Sequence, residues 1–206
     1  MEANRLSQLM TLTTGGQLAH ATRARETMIA TYAIVAGLAL SSLWGLAAGS
    51  SSAALAVANA CKVPMVILLS ALTAIPAGVV ALRLTGSQLP ASELVAAFAT
   101  SIFGGTLVLA TLAPLVAIYY HTSSKAGVPL ALGSVFVALA TATLLFGRAV
   151  KRRVLERGGR AGSLAALVVL VALFVAALMQ YVALAAPIIG NTGTHFDGGF
   201  DTVFGR

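Results

Sequence analysis

Charged residues are scarce in this chain of 206 residues. Only 9% of the residues are charged and 58% are apolar, with a mean hydropathy of +0.93, whereas a soluble domain carries about 25% charged residues. The composition excludes an ordinary soluble domain. It predicts an all-α, polytopic membrane helix bundle.

Cysteine and acidic residues are also few. Cys61 is the single cysteine, so one chain can form no internal disulfide and no multi-cysteine metal or cluster site. Thirteen Lys and Arg against six Asp and Glu give a net charge of +7. These cations lie beside apolar runs, where membrane topology and anionic lipid headgroups account for them. We therefore expect membrane lipids as partners and no nucleic acid.

Sequence motifs of catalysis are missing. The chain has no HExxH motif, no glycine-rich phosphate loop and no Ser, His, Asp set at a recognisable spacing. No Asp, Glu, Lys, Arg or His lies in the central part of any long apolar run, which argues against a proton-coupled transporter or a pump. We expect a non-enzymatic protein with no catalytic residue, no metal and no cofactor.

Long apolar runs predict five transmembrane helices, because each run can cross a hydrocarbon core of about 30 Å at 1.5 Å per residue. They form a membrane domain over residues 28–190, between an amino-terminal tail (1–27) and a carboxyl-terminal tail (191–206). The predicted spans are about 28–49, 63–82, 94–120, 128–146 and 163–187.

Two boundaries in this scheme depend on single residues. Pro64 stands where a helix start is favourable, so the second span is predicted to begin beside it. The stretch from Ala53 to Cys61 is then too short to span and is an interfacial or re-entrant element, or a loose continuation of the helix. Glu93 is typical of the first turn of the third helix, with a coupling role as the alternative.

A basic segment from Gly147 to Arg160 separates the last two runs and is predicted to be a loop. It holds six cations: Arg148, Lys151, Arg152, Arg153, Arg157 and Arg160. With this segment and the amino terminus inside, ten Lys and Arg lie on the cytoplasmic side and three (Lys62, Lys125, Arg206) lie outside. The positive-inside rule thus predicts an inside amino terminus and an outside carboxyl terminus in a cell inner (cytoplasmic) membrane.

The same six cations can also contact lipid headgroups or a protein partner. Beside an anionic leaflet each can gain about 1 kcal/mol, which would hold the segment on lipid headgroups. An acidic protein partner is the alternative.

Small residues recur every four positions along the first span: Ala33, Gly37, Ser41, Gly45 and Gly49. Such a stripe allows another helix to approach closely. It predicts packing within the bundle or, alternatively, an interface with a protein partner or a second copy in the membrane. Hydroxyls in later spans (Thr100, Ser101, Thr106, Thr111, Thr141, Thr143) could line a path for a neutral solute or bond their own helices.

The cytoplasmic amino tail, the five closely spaced spans and a few residues together resemble the Yip family of Rab-interacting membrane proteins, in its small bacterial branch. The residues are Lys62 to Pro64 (KVP) at the entry to the second span, and Gln180, Pro187 and Gly190 along the last span and into an aromatic tail. The resemblance covers roughly residues 28–200 and implies a membrane organiser without enzymatic activity. The tyrosine-rich DLYGP-type motif of the eukaryotic members is missing from the sequence, so GTPase binding is not implied.

The carboxyl-terminal tail carries His195, Asp197 and Asp201 among three phenylalanines. A metal site there lacks the glycine-acid repeat of calcium loops, and we predict none. Together these features predict a binding, scaffold or assembly subunit. The alternative is a facilitator or channel subunit for a small neutral or lipid-like solute.

Overall fold

The computed structural model describes residues 23–86, 89–122, 127–156, 162–186 and 188. These ranges contain five long helices: α1 (Arg23–Ala48), α2 (Ala53–Leu84), α3 (Ala91–Thr122), α4 (Gly127–Glu156) and α5 (Gly162–Leu184). All five are long and apolar enough to cross a membrane. The all-α fold with five potential spans is therefore confirmed, and the chain has the architecture of a multi-pass membrane protein.

The start of α2 differs from the prediction. The side chain of Ser52 accepts a hydrogen bond from the Leu55 amide at 3.2 Å, which caps the helix one residue before Ala53. The Ala53–Cys61 stretch thus forms the first turns of α2, and Pro64 lies inside the helix instead of at its start. At 1.5 Å per residue the helix is about 48 Å long, well beyond a hydrocarbon core of about 30 Å.

The basic segment also differs from the predicted loop, because α4 continues through it to Glu156. Phe146 and Val150, one turn apart, are 1% and 0% exposed and keep this part of α4 on the bundle. Lys and Arg are good helix formers, so the cations between and beyond them do not break the helix. Arg157 and Arg160 lie outside the described residues.

Spatial order in the bundle differs from chain order. α3 packs against both α1 and α4, α1 also packs against α2, and α2 packs against α5. By contrast, α4 and α5 are neighbours in sequence and touch at few points. The helices therefore form an arc in the order α5, α2, α1, α3, α4, whose two ends come close without packing together.

An aromatic cluster closes one half of this arc. The ring of Phe98 on α3 stands edge-to-face against Phe146 of α4 (centroids 5.5 Å apart) and Phe174 of α5 (5.1 Å). Leu94 and Leu170 pack beside these rings and are each 1% exposed. We call this region the packed half.

Candidate functional site

The other half of the bundle contains an apolar cavity of about 420 Å³. We call it the hollow half: it lies toward the end at which α1, α3 and α5 terminate and α2 and α4 begin. Every described helix contributes to its wall, for example Trp44, Val66, Leu109, Val135 and Leu178. A volume of 300 to 1,000 Å³ is typical of a small-molecule pocket.

Polar groups in the cavity wall are satisfied by the protein itself. Trp44 donates its indole Nε1–H to Ser134 Oγ at 2.9 Å, and that hydroxyl donates in turn to the Ala131 carbonyl at 2.7 Å. Thr106 donates to the Phe103 carbonyl at 3.0 Å. The two polar side chains of the described wall, Trp44 and Thr106, thus both donate their hydrogens within the protein.

Where this apolar space is empty, its wall lacks packing partners, and the lost contacts are unfavourable. Water does not replace them, because it enters only sites that offer two or more polar partners.

Hydroxyls within the spans bond their own helices. Thr100, Ser101, Thr106, Thr111 and Thr141 each donate to a backbone carbonyl three or four residues earlier. Of the two interpretations of these residues, the structure favours the local one. The described hydroxyls do not form a continuous polar route through the bundle.

The small-residue stripe of α1 lies inside the chain. Ala33 and Ser41 are fully buried, and Gly37, Gly45 and Gly49 are buried as well. A Cβ atom added at Gly45 would lie 2.3 Å from the carbonyl oxygen of Asn59, and one at Gly49 would lie 2.6 Å from the Cα of Ala56. These glycines let the α1 and α2 backbones meet beside Trp44, and Gly37 faces Thr106 of α3.

Asn59 is a buried polar residue at the hollow half that sequence analysis missed. Its side chain is 0% exposed, and its Nδ2 donates to the carbonyl of Ile188 at 2.7 Å, while Oδ1 has no hydrogen-bond partner. The bond ties α2 to the segment that follows α5. The available signal was a single amide side chain within the apolar Ala53–Cys61 stretch.

Gly78 is a second position that sequence analysis missed. A Cβ atom there would lie 2.0 Å from Cδ1 of Leu170, so α2 and α5 meet side chain to backbone at this point. Ser70, Ala74 and Gly78 recur every four positions along α2 and are all buried, so the available signal was a second stripe of small residues.

The cations of the predicted basic contact site differ in their surroundings. Arg148, Lys151 and Arg152 are exposed on α4, whereas Arg153 is half-buried and donates from Nη1 to the carbonyl of Glu93 in the first turn of α3. Arg153 therefore helps to join α4 to the start of α3.

Titratable side chains do not gather elsewhere in the described residues. No group of three or more His, Cys, Asp and Glu that could hold a metal ion occurs among them. His195, Asp197 and Asp201 of the carboxyl-terminal tail lie outside the described ranges.

Comparisons with protein-family models, with curated proteins and with solved structures gave no match for this chain. The Yip-like resemblance thus remains a prediction from sequence. One of its elements, Lys62 to Pro64, lies in the interior of α2.

Proposed function

We propose that the chain is a non-enzymatic subunit of a cytoplasmic-type membrane that binds other membrane components and helps to assemble them. The supporting observation is the cavity wall, which is apolar and whose Trp44 and Thr106 are already hydrogen-bonded within the protein. Such an interior suits binding of apolar groups and offers nothing to a polar substrate. The resemblance to Yip-type organisers points the same way.

Exposed cations at the end of α4 supply the second contact surface of this proposal. Arg148 and Lys151 lie three residues apart on one helical face and outside the packed core. At the predicted cytoplasmic face they would attract anionic headgroups or an acidic partner.

A flotation assay tests the headgroup contact. The protein in detergent would be mixed with vesicles of phosphatidylcholine alone or with added phosphatidylglycerol, and the Arg148→Gln, Lys151→Gln double variant compared with the exposed Arg83→Gln at the end of α2. We expect the double variant to lose the preference for phosphatidylglycerol and Arg83→Gln to keep most of it. Equal preference in both variants would contradict the contact. Loss of a co-purifying protein in the double variant alone would instead favour a protein partner.

Orientation is tested separately, because the binding proposal assumes that these cations face the cytoplasm. Cys61 is exposed and would first be replaced by Ala. A new cysteine at Ala161 should then be shielded from an impermeant thiol reagent in intact cells, and one at Gly193 should be labelled. The reverse pattern would overturn the predicted topology.

The cavity favours one further candidate, a facilitator for a lipid-like solute. Its wall is apolar along its described length, so a solute that passes through it would have to be apolar too. Reconstituted protein that accelerates the flip of a fluorescent phospholipid across vesicles would support the facilitator. An unchanged flip rate would contradict the facilitator, and the binding subunit would remain as the proposed function.

A further inference from the structure

The shape of the cavity suggests what fills it. Its wall runs from Val128 to Ala142 on α4 and from Phe174 to Ile188 on the α5 side. At 1.5 Å per residue the α4 stretch is roughly 20 Å long, and the helical part of the other stretch, from Phe174 to Leu184, is roughly 15 Å long. A volume of about 420 Å³ borders these stretches, and its wall is formed almost entirely by apolar side chains. The space therefore suits a hydrocarbon chain.

The cavity also reaches the outside of the bundle. Leu132 of α4 and Val182 of α5 both line it, and they are 46% and 40% exposed. Since α4 and α5 touch at few points, the opening lies between these two helices. The helices that border this opening are long and apolar enough to cross a membrane. In a membrane, lipid hydrocarbon surrounds the opening, so an acyl chain can enter sideways without crossing water.

The wall cannot accommodate a headgroup. Trp44 Nε1 and the Thr106 hydroxyl are each hydrogen-bonded within the protein, and the remaining wall is formed by aliphatic side chains, Gly105 and Phe174. A headgroup inside would lose its hydration without gaining partners. Only the tail of a lipid fits, and its headgroup stays at the membrane surface.

We propose that the hollow half binds one acyl chain of a membrane phospholipid, inserted between α4 and α5. This inference rests on the binding function proposed above and names its ligand. In the predicted orientation the hollow half lies toward the outer face, so the phospholipid belongs to the outer leaflet.

The fluorescence of Trp44 can report on the bound acyl chain, because Trp44 is the single tryptophan of the protein, lines the cavity and is 2% exposed. The full-length protein would be placed in nanodiscs of phosphatidylcholine with dibrominated acyl chains, which quench tryptophan at short range. Val135→Phe fills the cavity, and Val137→Phe adds the same ring at an exposed position on the same helix, outside the cavity wall.

We expect strong quenching in the wild type and in Val137→Phe, and a fall to less than half of that quenching in Val135→Phe. Native mass spectrometry should find one phospholipid retained on the first two proteins and lost from the third. Equal quenching in all three proteins, or none in the wild type, would overturn the proposal.

A folding control keeps the test decisive. Should Val135→Phe lose its helical circular dichroism, Val182→Phe at the opening replaces it, with the same expected fall and the same contradicting result. The flotation assay depends on α4 cations remote from the cavity. Failure of the acyl-chain proposal therefore leaves the headgroup and partner contacts to be judged by their own measurement.

Discussion

The packed half joins residues of α2, α3, α4 and α5, whereas all five described helices line the hollow half, yet only the packed half is filled. In the packed half three phenylalanines on α3, α4 and α5 meet at one level and close the arc. In the hollow half α4 and α5 present Leu132, Val135 and Val182, which do not reach across. Apolar composition alone therefore does not decide whether two neighbouring helices pack together; the size of their side chains at matching levels does.

The largest expected effect is at the contact that borders the hollow half. Gly45→Leu should prevent folding or cost more than about 3 kcal/mol, because its Cβ would lie 2.3 Å from a backbone oxygen of α2 that cannot easily move. Thermal unfolding in detergent measures the loss. Ala39→Leu adds the same side chain at an exposed position of α1 and should be mild. Equal tolerance of both changes would mean that the stripe is not a packing contact.

Truncation compares the two halves directly. Phe98→Ala removes the centre of the aromatic cluster and should cost about 3 kcal/mol through lost contacts and a new cavity. Leu132→Ala enlarges space that already exists and should cost less than about 1 kcal/mol. Denaturation curves in mixed micelles give both values. If the two costs were equal, the halves would not differ in packing.

Ser134→Ala probes the polar link across the hollow half. Its loss leaves the buried Trp44 indole N–H without an acceptor, at a cost of about 1 kcal/mol, the usual size of a hydrogen bond between membrane helices. The emission maximum of Trp44 should shift together with the melting temperature. Thr141→Ala removes a hydroxyl that bonds only its own helix and is the matched control. A shift of the same size in Thr141→Ala would show that the effect is not specific to the Trp44 contact.

The smallest expected effect concerns which side of the membrane the hollow half faces. Arg157→Gln with Arg160→Gln leaves eight Lys and Arg inside against three outside, so orientation should not change. Thiol labelling at Gly193 in intact cells checks this. Loss of that labelling would show that the predicted orientation depends on these two residues.

Sequence analysis was most successful for features that the sequence of one helix determines without its neighbours. The apolar runs predicted five helices, which the structure contains, and the spacing of the α1 stripe singled out five residues that are all buried. The α2 boundary was wrong because Pro64 was taken to mark the start of the helix, although a proline is tolerated inside a long membrane helix whose neighbours support it. The α4 boundary was wrong because charge was taken to end the helix.

The cavity and its neighbours could not be predicted in this way. The sequence does not state that Leu170 packs against Gly78, or that Nδ2 of Asn59 reaches the Ile188 carbonyl, more than a hundred residues later in the chain. The cavity itself depends on α4 and α5 being side by side without packing. Each of these features is a property of helix neighbours, and a single sequence does not state which helices are neighbours.

Pairing of α2 with α5 also has a consequence for biosynthesis. Contacts among α1, α3 and α4 can form while the carboxyl-terminal part of the chain is still on the ribosome, since their partners have already been made. One flank of α2, including Gly78, must wait for the last helix to be synthesised. Native contacts that join distant segments form late because the intervening chain must first be ordered. A ribosome stalled before residue 162 would therefore hold a nascent chain with that flank of α2 still open to lipids or chaperones.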